Sequence, residues 1–261
     1  PISWCWGGAT GRSLSFSLQS LHRLVAPAPL PLGLMDRKLS FPSSRFPIAW
    51  FRRLRANPVL RYLMRENTVT LNHLIYPIFV EEELDDFAPV ESMPGIFRIP
   101  EKKLGQAVKE IHAAGIKAIM TFGVSHHKDD TGSDSWNENG LLARMTKRAK
   151  DAAPELLVIS DTCFCEYTSH GHCGVIHGED VHNDHTIENL GKQSVIAARA
   201  GADMIAPAAM MDGQVAAIRS ALDGHGFSNH PIMACHAKLA TTFSRPLRLP
   251  ALPPHARRPQ T

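Results

Sequence analysis

The sequence predicts an α/β fold of successive strand and helix units around a parallel sheet. Three observations carry that reading. Between Asn57 and Lys238 short apolar runs alternate with stretches of helical period, the order expected of βα units. The apolar runs are continuous rather than alternating, as suits parallel strands buried on both faces. A chain of 261 residues with 44% hydrophobic and 20% charged content can also bury a large single core.

A first helix is expected from Asn57, with Pro58 at its first position and Leu60, Leu63 and Met64 on one face. Five strands are expected at Leu74–Val80, Ala118–Val124, Leu156–Phe164, Met204–Ala208 and Pro231–Cys235. The intervening helices fall at Leu104–Ala114, Leu141–Ala152, Ile187–Ala200 and Gln214–Leu222. Gly115, Gly201 and Gly224 stand where a helix can end in the left-handed conformation. The insert around Met93-Pro94-Gly95 is expected to turn a hairpin.

The ends of the chain differ from this middle. No Asp or Glu precedes Asp36, and Met35 is a candidate start, so residues 1–34 read as a leader that is unstructured. A transit peptide is the second reading of that leader, although an arginine-rich amphipathic face is missing. Residues 244–261 hold Pro246, Pro250, Pro253, Pro254 and Pro259 without one acidic side chain, and read as an unstructured tail. The net charge of +3 is small, and Arg52, Arg53, Arg55, Arg245, Arg248, Arg257 and Arg258 gather near the ends without interleaved aromatic residues. That pattern argues against nucleic acid as a partner. No apolar stretch spans a membrane: Leu24–Met35 is short and broken by Pro27, Pro29 and Pro31.

Cys163, Cys165 and Cys173 fall within eleven residues, on a loop that follows the third expected strand. Three thiols so placed can hold one soft divalent ion, and three ligands leave a fourth position open to water or substrate, as in catalytic rather than structural sites. The alternative is three inert thiols acting as small hydrophobes. His170 and His172 lie inside the loop and are candidate replacements for one thiol. A Cys163–Cys165 disulfide would be strained, and with Cys5 and Cys235 the cysteine total is odd, so reduced thiols in the cytoplasm are expected. His126 and His127, after the second strand, are minor catalytic candidates beside the reading of a solvated loop.

Lys238 follows the fifth strand on the apolar segment Pro231-Ile-Met-Ala-Cys-His-Ala-Lys238. Desolvation lowers a lysine's pKa and leaves a neutral amine able to attack a carbonyl. An ordinary exposed lysine is the competing reading. In β/α barrels working residues stand at the carboxyl ends of strands, where both the cysteine loop and Lys238 are expected.

The segments Tyr76-Pro-Ile-Phe-Val-Glu-Glu82, Met93-Pro-Gly95, Thr121-Phe-Gly-Val-Ser-His-His127, Gly132-Ser-Asp-Ser-Trp136, Ser160-Asp-Thr-Cys-Phe-Cys-Glu-Tyr-Thr-Ser-His-Gly-His-Cys-Gly174, Glu188-Asn-Leu-Gly191 and Met211-Asp-Gly213 closely resemble the porphobilinogen synthase (delta-aminolevulinic acid dehydratase) family of the zinc-dependent bacterial type. The resemblance runs from about Arg52 to Phe243. It implies an eight-stranded (β/α)8 TIM barrel, of which residues 57–243 supply about the first five units, preceded by an arm at 35–56 that joins subunits into a homo-octamer. It implies a lyase that condenses two 5-aminolevulinate molecules to porphobilinogen with loss of water. By the same resemblance Cys163, Cys165 and Cys173 are zinc ligands, Asp161 is an active-site carboxylate, and Lys238 forms a Schiff base with substrate. Arg248 coincides by position with an arginine that binds substrate carboxylate. A Mg2+ belonging to the intact family has no assignable ligands in this sequence.

The sequence also departs from the family pattern. The second Schiff-base lysine has no counterpart, Cys235 and His236 replace the usual tyrosine and hydroxyl residue, and Ala208 replaces a serine. After Phe243 the chain continues as Ser244-Arg-Pro-Leu-Arg248 where Tyr-Gly-Pro-Phe-Arg is usual. Impaired turnover is therefore expected of this chain, with unpaired edges on the first and fifth strands. A catalytically inactive zinc-binding fragment is the alternative to an active enzyme.

Overall fold

A computed structural model describes residues 51–178 and 180–235. They belong to two compact units that divide between Val69 and Thr70. In the first, helix α1 spans Pro58–Leu63. Asn57 caps it by accepting the Val59 N–H at 2.7 Å, with Pro58 at the first position, where a missing N–H removes no bond. Leu60, Leu63 and Met64 are exposed there.

In the second unit the strands are β1 (Ile75–Glu81), β2 (Ala88–Pro89), β3 (Phe97–Pro100), β4 (Ala118–Val124), β5 (Leu157–Thr162), β6 (Ile176–His177), β7 (Asp180–Val181) and β8 (Met204–Pro207). Six form one sheet in the order β2-β3-β1-β4-β5-β8, parallel except for the β2–β3 pair. β6 and β7 form a separate antiparallel ribbon. The helices are α2 (Leu104–Ala113), α3 (Leu141–Ala152), α4 (Asn183–Arg199) and α5 (Gln214–Gly224). Each packs on the next in chain order. Among the described residues the sheet stays open, a partial β/α barrel.

Strand alternation divides the buried side chains between two layers. Ile78 and Val80 of β1, Ile119 of β4, Val158 of β5 and Ile205 of β8 join one apolar cluster with Leu104, Leu142, Met145, Leu190, Ile218 and Leu222 of the helices. Phe79 and Phe122 stand outside that cluster and stack on each other across β1 and β4, ring centroids 5.4 Å apart. Period two then sets Asp161 on the same side of β5 as Ile159. Burial on both sides is why these strands read as unbroken apolar runs.

Several expectations need correction. The insert turns a hairpin at Met93-Pro-Gly95 as expected, with the Ile96 N–H bonding Met93 O at 3.0 Å and β2 antiparallel to β3, but β3 also pairs in parallel with β1. The edge of the first strand is therefore covered. The third strand stops at Thr162 instead of Phe164, because Phe164 O accepts both the Tyr167 and Thr168 N–H groups at 2.8 Å and the chain turns. Residues Pro231–Cys235 form only one bridge, Ile232 to Ile205, flanked by bonds from Met233 N to Ile205 O (2.8 Å) and Cys235 N to Pro207 O (3.3 Å). α4 begins four residues before Ile187, since His182 caps it by accepting the His185 N–H at 3.3 Å. Gly115 and Gly201 do end helices with φ of 94° and 102°, whereas Gly224 stays helical and Gly226 takes φ 84°. No helix of the described residues is long and apolar enough to cross a membrane.

Gly123 marks a close approach near the end of β4: a Cβ there would stand 2.5 Å from the Tyr167 hydroxyl and 3.2 Å from Met145. Both side chains are buried. Gly123→Ala is expected to lower unfolding free energy by about 1–3 kcal/mol in a urea titration. Gly105→Ala, on α2 with only Ala152 at 3.7 Å, is expected to leave it level or raise it by roughly 0.4–1 kcal/mol.

Candidate metal centre at the strand ends

The parallel strands deliver their carboxyl ends to one edge of the sheet. β1 ends there with Glu81, β4 leads into Ser125 to Asp129, β5 into the cysteine loop, and β8 into Ala208 and Ala209. Ala208 N bonds Thr162 O at 3.2 Å, so the β8 exit runs beside the start of the cysteine loop.

That loop closes on itself and on its neighbours. Ser169 N bonds Asp129 O at 2.9 Å, and Asp129 bridges Thr168 in parallel register, lacing the β4 exit to the cysteine loop. Thr168 Oγ1 donates to His172 O at 2.9 Å. From beneath, Gln193 of α4 donates Nε2 to Cys163 O at 2.9 Å. Trp136 stands edge-on to Phe164, ring centroids 5.7 Å apart. Each contact fixes the path between Cys163 and Cys173.

The result is a buried trio of thiols. Cys163 Sγ lies 3.1 Å from Cys165 Sγ and 3.0 Å from Cys173 Sγ, and all three sulfurs fall within 4.8 Å of one another. None of the four described cysteines is in a disulfide. Around one zinc ion at about 2.3 Å from each sulfur, the sulfurs stand about 3.8 Å apart, so the trio fits such an ion with a small outward shift. Hydrogen bonding with Cys165, with burial added, pushes the Cys163 thiol well above its ordinary range. A divalent cation would reverse that preference by stabilising thiolate.

The structure brings Asp161 to the same place: one of its carboxylate oxygens, Cys163 Sγ and a Glu166 oxygen also lie within 4.8 Å of one another, all three residues buried. Lys238 and Arg248 lie outside the described residues, but Cys235, three residues before Lys238, is bonded to Pro207 at this same edge. His170 and His172 are not among the gathered donors. The His170 ring contacts Asp130 O at 3.0 Å and accepts the His172 N–H at 3.1 Å instead. His126 is taken up by glutamates, Nε2 at 3.2 Å from Glu81 and Nδ1 at 3.0 Å from Glu83, and His127 Nε2 is 3.7 Å from Glu82. Those histidines line a polar cavity of about 680 Å³ together with Lys128, Asp134 and Arg144.

Two residues beside the thiols escape sequence reasoning. Glu166 is 1% exposed and accepts from Cys165 Sγ at 3.4 Å. Burial, then Cys165 and Asp161, push its carboxyl well above the ordinary range. Lys128 is half-buried, and that burial draws its ammonium pKa down against the pull of Glu166, Cys165 and Glu81. Adjacency to Cys165 was the available signal for Glu166; a lysine in a polar loop offers none. Tyr167 is buried against the same charges and is pushed up by burial and by Glu166.

A parallel sheet with buried thiols and carboxyl groups gathered at its carboxyl edge defines an α/β protein of the barrel type with a candidate metal centre. The chain belongs to the delta-aminolevulinic acid dehydratase family, whose profile matches residues 49–253. It is 59% identical over 197 residues to the delta-aminolevulinic acid dehydratase of Escherichia coli (strain K12), covering 76% of this chain and 61% of that protein. Against the Synechocystis sp. relative of the same name it is 46% identical over 207 residues, 78% of this chain and 63% of the relative. The fold superposes on the Toxoplasma gondii delta-aminolevulinic acid dehydratase (porphobilinogen synthase), solved with the reaction product porphobilinogen, with a TM-score of 0.73 at 39% identity, covering 78% of this chain and 58% of the other. The chain thus spans less than two thirds of the length of these relatives.

Asp129 is the polar clasp of the β4 exit. Partial burial raises its carboxyl pKa, but donors from Ser133 and Thr131 outweigh this and leave it at about 2 against an ordinary 3.8. A carboxylate held below its unfolded value contributes stability above pH 3.8 that is lost as pH falls toward 2. Asp129→Asn is expected to lower the melting temperature at pH 7 and to flatten the acid side of the melting profile between those two values, read by circular dichroism.

Proposed function

We propose that this chain carries the zinc and Schiff-base half of a porphobilinogen synthase, which condenses two 5-aminolevulinate molecules to porphobilinogen with loss of water. The observation that carries the reading is the buried trio Cys163, Cys165 and Cys173, with Asp161 beside it at the carboxyl end of β5. Family membership and the likeness to a relative solved with porphobilinogen support the substrate class.

The chemistry follows from the residues. Lys238, on the apolar segment after Ile232, acts as a neutral amine that adds to the substrate ketone; loss of water leaves an imine, which takes up a proton from water to give the iminium that draws electrons from the adjacent carbon. Asp161, buried at the strand end, accepts a proton from that carbon or holds the second substrate's ammonium. Cys163, Cys165 and Cys173 would hold the zinc, which when bound would supply Lewis-acid chemistry to a substrate oxygen or amine. Phe164, Tyr167 and Ala208 are buried at the same edge of the sheet. In this reading Arg248 binds the substrate carboxylate, residues 35–56 join subunits into a homo-octamer, and the enzyme works in the cytoplasm.

Borohydride added with 5-aminolevulinate should fix one reduced substrate on the peptide holding Lys238, seen by mass spectrometry, and Lys238→Met should abolish the adduct. Zinc uptake without any adduct would favour an inactive metal-binding fragment. Cys163→Ser should lose the bound zinc, measured with a chromogenic chelator, because it removes the sulfur that touches both others.

A further inference from the structure

We propose that Asp161, Cys163 and Glu166 form a second divalent-cation position, rich in oxygen, that abuts the thiol trio and shares Cys163 with it. This goes beyond the reading above and does not require turnover. One donor atom from each of the three residues lies within 4.8 Å of the other two, and all three residues are buried.

The independent sign of a ligand is Glu166. The residue is 1% exposed, yet Oε1 makes no hydrogen bond, while Oε2 accepts from the weak Cys165 thiol at 3.4 Å. Buried carboxylate oxygens ordinarily find donors or cations. The turn at Phe164 O, which receives Tyr167 N and Thr168 N at 2.8 Å each, holds Glu166 at this place in the loop. Lys128 is the positive side chain that acts on Glu166, and it is shared with Cys165 and Glu81.

The donor sets differ in hardness. Cys163, Cys165 and Cys173 select a soft or borderline ion such as zinc, whereas two carboxylates with a single sulfur suit a harder ion such as manganese(II). The shared Cys163 makes the two positions adjacent, so a thiolate can face both ions.

The test titrates the zinc-loaded full chain with manganese(II) chloride and follows free manganese by electron paramagnetic resonance, with zinc content read in parallel by a chromogenic chelator. Binding of one manganese without loss of zinc is expected. Glu166→Gln and, separately, Asp161→Asn should each weaken manganese at least about tenfold while zinc content stays the same. Cys173→Ser, outside the proposed set, should lose zinc and keep manganese. Should one carboxamide variant fail to fold by circular dichroism, the other gives the answer. No bound manganese, or unchanged manganese affinity in the folded carboxamide variants, overturns the second position. Manganese that merely displaces zinc overturns it as well, whereas zinc never binding to the thiols would instead sink the reading of the trio.

Discussion

Three thiols and two carboxyl groups buried at the end of β5 and in the loop that follows it form the constraint to which the rest of this structure answers. Groups that carry or can carry negative charge are expensive to bury together unless protons, donors or a cation compensate them. Here Cys163, Glu166 and Tyr167 are all pushed toward their protonated forms. The same crowding makes the place a strong attractor for a divalent cation. Burial that disfavours thiolate without metal is the burial that, with metal present, keeps water from competing for it.

The surrounding fold supplies rigidity rather than charge. The parallel register of β4 on β5 and of β5 on β8 fixes where each strand ends. The Asp129–Thr168 bridge and the Gln193 bond to Cys163 O then hold the loop from two sides. Gly123 allows the Tyr167 hydroxyl to approach the β4 backbone, so the loop sits on the strand without an intervening side chain. A metal centre on a loop gains geometric definition only through ties of this kind, since loops are otherwise the mobile parts of a fold.

Charge is arranged in two tiers at this edge. Close to the thiols stand Asp161 and Glu166, the latter acted on by Lys128. Farther out, Arg144 bonds Glu101 and Glu82 and reaches Asn139 O, while Arg98 and His126 take Glu81. The outer glutamates are thus matched to arginine and histidine, whereas Oε1 of the inner Glu166 makes no hydrogen bond.

Much of this was legible in the amino-acid order because it depends on local rules. Continuous apolar runs announced β1, β4, β5 and β8, helical period announced α2 to α5, and three cysteines in eleven residues announced the candidate metal centre. What remained hidden depends on contacts between distant residues. The pairing of β3 with β1, the early turn after Thr162, the burial of Glu166 and the capture of His126 by Glu81 and Glu83 are decided by which strand ends meet. A loop that reads as polar in sequence becomes interior once Gly132, Trp136 and α4 close around it. The sequence by itself determined which chemistry is available; the tertiary structure decided which groups share one low-dielectric space, because burial and long-range contact are properties of packing and not of local order.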